Sequence, residues 1–178
     1  MRKAIVTPVV AGLIGFGLLA APLAAHAADT PTTFEVSGGA LGITVPTTSV
    51  DLGTVTVGAS DVSASLGTVS VSDQRATVSG SWIATVTSSA FVTGEASTAE
   101  TVPASDVNYA PGDPSDAVNG TYTPGTAGAL GGDTALTAMS TSDEVGVGGV
   151  SWDPTITVTL PAQVVAGTYT GTITHSVA

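Results

Sequence analysis

Cysteine is absent from the 178-residue chain, which excludes a disulfide scaffold, a thiolate metal site and a lipidated cysteine anchor. Cations are nearly absent too: 3 Lys and Arg stand against 14 Asp and Glu, for a formal charge of −11. Arg2 and Lys3 lie at the extreme N-terminus, so Arg75 is the one cation further along. A nucleic-acid partner needs Lys and Arg to neutralise phosphates, and none are to spare; nucleic acid is excluded as a partner. Histidine is scarce as well, with His26 and His175 alone. Zinc needs several His or Cys ligands, and a Ser-His-Asp triad needs a His in the right place. No metal, no cofactor and no catalytic residue is therefore expected, and the chain reads as a non-enzyme.

What is present begins with an address. Arg2-Lys3 precedes an apolar stretch from about Ala4 to Ala25, which ends in Ala25-His26-Ala27. A charged start, an apolar run and small residues at −3 and −1 form the secretory signal pattern, with cleavage expected at Ala25 and Ala27. The run approaches the length of a membrane span, but Pro8, Pro22 and the cleavage-like end favour a removed leader. Residues 28–178 then form a single exported domain, with no integral membrane segment and one arginine against all 14 acids. The mean hydropathy of +0.43 partly reflects the leader. No sorting motif or apolar tail follows Val177-Ala178, so neither covalent wall anchoring nor C-terminal membrane retention is expected.

Beyond residue 28 the chain is rich in Thr, Ser, Val, Ala and Gly. Thr and Val are stiff at χ1 and favour strands. Alternation with period two is widespread, and sustained helical periodicity is missing. Leu41, Ile43 and Val45 alternate with Gly42 and Thr44. Leu52-Gly53-Thr54-Val55-Thr56-Val57 recurs as Leu66-Gly67-Thr68-Val69-Ser70-Val71, a local duplication expected to form adjacent antiparallel strands. Val78, Gly80, Trp82, Ala84 and Val86 share one face of a further strand. Ile156, Val158 and Leu160 do so near the C-terminus. The final strand places Tyr169, Gly171, Ile173, His175 and Val177 on one face and hydroxyls on the other. One apolar and one hydroxyl face suit an antiparallel sheet with a wet side. The expected class is all-β, an antiparallel β-sandwich with long Gly/Pro-rich connections. Residues 94–149, with Pro103, Pro111, Pro114 and Pro124, read as such connections holding one or two short strands, with Asn119-Gly120 a hairpin signal.

Few residues carry chemistry. His175 lies on the apolar face of the last strand and reads as a packed or edge histidine. Asp113-Pro114-Ser115-Asp116, with Asp106 and Asn108 nearby, is an oxygen-rich loop of the type calcium favours. Its spacing matches no EF-hand, and an ordinary Pro/Asp turn accounts for it. Trp82 and Trp152 each fit a core plug or an exposed stacking platform; for Trp82, between the small Gly80 and Ala84, the core is preferred.

Three segments together resemble the WxL family of Gram-positive surface proteins. Asp73-Gln74-Arg75, followed by Gly80-Ser81-Trp82-Ile83-Ala84-Thr85-Val86 and Phe91, is similar to the family's D-x-R … W-x-L region. Thr101-Val102-Pro103-Ala104-Ser105-Asp106-Val107-Asn108-Tyr109 is similar to its segment leading to an aromatic before a Pro/Gly turn. Tyr169, Ile173, Thr174, His175 and Val177 match its distal Y-x-x-x-L-T-W-x-L motif. The chain departs at Ala84, where the signature has Leu, and at His175, where the distal motif has Trp. The resemblance marks a divergent member. It implies a WxL-like (Ig-like) sandwich without catalysis, attached non-covalently to cell-wall peptidoglycan, extracellular or at the cell surface. The positions it points to for binding are Trp82, Ile83, Ala84, Tyr169, Ile173, Thr174, His175 and Val177.

The residues themselves agree on export, β structure and lack of catalytic groups. Wall polymers are often anionic, and a strongly acidic domain is repelled by them at low salt. Wall binding is therefore expected to strengthen with salt or calcium. A rival of another class is a structural or adhesive protein that assembles with other surface proteins through strand edges, since edge lysines are lacking. A glycan hydrolase rests only on the abundance of carboxylates.

Overall fold

The computed structural model describes residues 30–132 and 134–178. The expected leader, with Ala25 and Ala27, lies outside the described residues. Thr30–Glu35 belong to a separate N-terminal unit and are exposed without regular structure. The unit from Val36 to Ala178 carries twelve strands among its described residues. In chain order these are β1 (Leu41–Thr44), β2 (Asp61–Ser65), β3 (Val69–Ser88), β4 (Phe91–Val92), β5 (Thr101–Val102) and β6 (Val107–Ala110). They continue with β7 (Ser115–Val118), β8 (Tyr122–Pro124), β9 (Gly128–Ala129), β10 (Leu136–Trp152), β11 (Thr155–Thr159) and β12 (Ile173–Val177).

Two sheets share one core. In the larger, the order β1-β3-β10-β7 is completed by β12 beside β3 and β8 beside β10. The smaller runs β2-β11-β6-β9, and β4 pairs with β5 apart from both. Every strand pair is antiparallel, as the alternating Thr/Val pattern requires of strands with one wet face. β11 is the simplest case: Ile156 and Val158 are buried while Thr155 and Thr159 are exposed. Val69, Val71, Trp82, Val86, Met139, Val150 and Trp152 of the larger sheet meet Val107, Tyr109, Ile156 and Val158 of the smaller in one buried cluster.

The long strands β3 and β10 form the spine, and both are bulged. β3 buries odd positions at its start (Val69, Val71, Asp73) and even positions later (Gly80, Trp82, Ala84, Val86). That reversal needs an extra residue, and Ala76, at φ 56°, sits at the turnover. The β10 register shifts between Thr137 and Met139, Thr141 and Glu144, Glu144 and Gly146, and Gly146 and Gly148.

Several expectations are corrected here. Leu52–Val57 forms no strand, because Gly53 and Gly58 adopt φ 101° and 93°, left-handed conformations that break an extended run. The second copy enters a strand only at Val69, after Gly67 at φ 87°, and the two copies do not pair. Residues 94–149 are not mainly connections: they contain β5 to β9 and most of β10. Asn119-Gly120 does not close a hairpin, since β7 and β8 each pair with β10 rather than with each other. Val78, expected on the apolar face, is 90% exposed because it lies past the end of the core.

Candidate functional site

Beneath the Trp82 segment lies a buried polar network that joins the two spine strands. The Asp73 carboxylate receives the Arg75 guanidinium in a fork: Nε donates to Oδ1 and Oδ2 at 2.9 and 3.0 Å, and Nη2 to Oδ2 at 2.6 Å. The Arg75 backbone N–H adds a bond to Oδ1 at 2.9 Å. These bonds hold the Asp73 carboxyl below the usual carboxylate range, against the opposing effect of burial. Arg75 Nη2 also donates to the Ser81 carbonyl at 2.9 Å, so the half-buried guanidinium is tied to both groups.

Glu144 completes the network from β10 and is 1% exposed. Its Oε2 accepts from Trp82 Nε1 at 3.2 Å and lies 2.8 Å from Tyr122 Oη, whose one proton also has the Val118 carbonyl in reach at 2.6 Å. Its Oε1 is buried with no hydrogen-bond partner. The side chain folds over Gly148, where any Cβ would collide with it, and Gly148 is the ladder partner of Asp73. Tyr122 accepts from the Gly149 N–H at 3.0 Å, and its ring lies 5.7 Å from that of Trp82. Burial first, and the Glu144 carboxyl second, push the Tyr122 hydroxyl up to about 12. Asp73, Arg75 and Trp82 stand out in the sequence; Glu144 and Tyr122 do not, because no fixed spacing links residues brought together by bulges.

A second relay runs between the two sheets. Trp152 Nε1 donates to Tyr109 Oη at 2.9 Å, and Tyr109 Oη lies 3.1 Å from His175 Nε2. The Tyr109 hydroxyl accepts from Trp152 and makes its second bond with the His175 ring, in the direction set by the His175 tautomer. Burial holds His175 down at about 4 and pushes Tyr109 up to about 12. His175 is thus a packed histidine that joins the sheets.

Of the positions expected to bind, Trp82 and Ala84 are 2% and 0% exposed, so neither presents a surface to an external polymer. Ile83, between them, is 50% exposed. Ile173, His175 and Val177 are half-buried and Thr174 is exposed. Tyr169 is half-buried, its hydroxyl within reach of the Val165 carbonyl at 3.0 Å and the Ala99 carbonyl at 3.2 Å. The fold does bring the two motif segments together: Val177 pairs with Ala84 and His175 with Val86.

On the surface at Ile83 lies a groove of about 660 Å³. Ile83, Ser140 and Thr123 align across β3, β10 and β8 as ladder partners. Ser81, Thr121, Thr141, Ser142 and Asp143 bring polar groups to the lining, and Trp82 and Ala178 complete it. Asp143 Oδ1 accepts from the Thr121 N–H at 2.9 Å and from Thr141 Oγ1 at 3.2 Å. The Thr121 backbone bond is the main reason that the Asp143 carboxyl is held low. Its Oδ2 makes no hydrogen bond with a described residue. The missed members, Thr121, Thr123 and Ser140–Asp143, fall in the region whose sequence reads as loops. The Asp106, Asn108, Asp113 and Asp116 positions form no metal cluster: among the described residues no three His, Asp or Glu converge.

Comparison of the chain with protein-family models, with curated proteins and with solved structures finds no match.

Proposed function

We propose that this is a secreted, non-catalytic surface protein, a divergent WxL-like domain that associates non-covalently with cell-wall peptidoglycan. The groove at Ile83 carries the reading. It combines hydroxyl donors and acceptors from three strands with one exposed aliphatic surface. A sugar ring presents the matching chemistry, hydroxyls around its rim and C–H groups on its face. The leader pattern of residues 1–27 supports export, and the motif segments around Ile83 and Val177 border the groove.

The test is co-sedimentation of the purified protein with insoluble peptidoglycan, at low and high salt and with calcium, beside Ile83→Asp. Ile83 is exposed on a strand, so the variant keeps its fold, which circular dichroism verifies. Loss of sedimentation in Ile83→Asp supports the reading. No sedimentation of the parent protein under any condition sinks it. Trp82→Ala is unsuitable, because it empties the core.

A second reading, assembly with other surface proteins, draws on a different observation. Val78, Val145, Val147 and Val118 are 90%, 58%, 43% and 50% exposed on the far part of the β3–β10 ribbon and the adjoining β7. Concentration-dependent sedimentation velocity that Val78→Asp abolishes would favour it.

A further inference from the structure

We infer that the Ile83 groove selects a polyhydroxylated unit bearing a protonated primary amine, the chemistry of a de-N-acetylated hexosamine; this rests on the groove being the wall-binding site. Three observations converge. The lining offers hydroxyls from Ser81, Thr121, Thr123, Ser140 and Ser142, which pair with sugar hydroxyls without regard to charge. Its one charged side chain is Asp143, which is exposed, with Oδ1 held by Thr121 and Thr141 and the carboxylate open to solvent beside the groove. No Lys or Arg competes for it: Arg75, the one such residue among those described, is tied to Asp73 and the Ser81 carbonyl. An ammonium at Oδ2 gains a charge-assisted bond, whereas an acetamide N–H gives a weaker one. A phosphate or carboxylate in the same place is repelled by Asp143 and by the acidic surplus of a chain with 14 Asp and Glu.

The experiment is calorimetric titration of the full protein with a glucosamine tetramer, at a pH where its amines are protonated. A tetra-N-acetylglucosamine arm tests the need for the amine, and a cadaverine arm tests whether an amine without hydroxyls suffices. The glucosamine tetramer is expected to bind with a Kd of roughly 0.1–1 mM and at least about tenfold more tightly than either comparator. Asp143→Asn keeps an oxygen for Thr121 and Thr141 but removes the charge. It is expected to erase the preference, and Asp143→Glu to restore part of it. Equal binding of the acetylated tetramer, equal binding of cadaverine, or no effect of Asp143→Asn overturns the inference. If peptidoglycan still co-sediments with the parent protein and not with Ile83→Asp, the wall reading survives that outcome. If sedimentation is absent as well, both fall.

Discussion

At the scale of single residues, Glu144 is the most constrained side chain, because two buried donors from different elements converge on its Oε2. Removing one partner of a buried hydrogen bond costs more than the bond contributes, since the other partner stays desolvated. Glu144→Ala is therefore expected to destabilise by about 1–3 kcal/mol, leaving Trp82 Nε1 unsatisfied while the Tyr122 hydroxyl keeps the Val118 carbonyl at 2.6 Å as its acceptor. Glu144→Gln keeps an acceptor for both donors and is expected to cost less than half as much; urea midpoints of the two variants check the contrast. His175 gives a second test. Its folded pKa of about 4 lies below the ordinary 6.5, so the folded state binds fewer protons than the unfolded state between those values. Stability is full above pH 6.5 and falls as pH drops towards 4. The loss is about 1–2 kcal/mol once screening of this half-buried ring is allowed for. Urea midpoints at pH 7 and 4.5 measure it, and His175→Gln is expected to flatten the difference. Asp73 does not obscure this window: its pKa lies below 3.8, so its contribution is present above about pH 3.8 and is lost only at lower pH.

At the scale of elements, the bulges of β3 and β10 place the network, and their backbone cost is separable from packing. Ala76 holds φ 56°, a left-handed conformation that costs a residue with a Cβ about 1 kcal/mol. Ala76→Gly is expected to stabilise by up to about 1 kcal/mol and raise Tm by roughly 2–4 °C. Gly146 is the converse, with φ 77° and open space where a Cβ would sit. Gly146→Ala is expected to destabilise by about 1 kcal/mol through the backbone alone. Thermal melts of the two variants moving in opposite directions check the pair. These bulges also explain which strands the sequence revealed. β11 and β12 keep strict alternation and are legible directly. β10 carries Asp143-Glu144-Val145-Gly146-Val147-Gly148-Gly149 through several register shifts, so its period is broken around the buried Glu144, between the core residues Met139 and Trp152.

At the scale of the whole molecule, charge governs encounter. Repulsion between a protein of charge −11 and an anionic polymer is screened by salt. Sedimentation with intact, polyanion-bearing walls is thus expected to rise between about 20 and about 200 mM salt. The attraction of Asp143 for an isolated glucosamine oligomer is expected to weaken over the same range. Opposite salt slopes for the two ligands, read by sedimentation and calorimetry, are the joint signature; parallel slopes contradict it.

The sequence by itself determined the all-β, antiparallel class, because alternation of Thr with Val and Ile dictates which side of a strand meets water. It also determined the apolar faces of β11, of β12 and of the Gly80–Val86 part of β3, though not the exposure of Val78, and marked Asp73, Arg75 and Trp82. Tertiary structure decided what those residues do. Trp82 turns inward to Glu144 and leaves Ile83 as the exposed member of its tripeptide, and Ser140–Asp143 join Ile83 across a ladder. Such contacts depend on register, and here register is set by bulges and left-handed residues that a two-residue period does not encode.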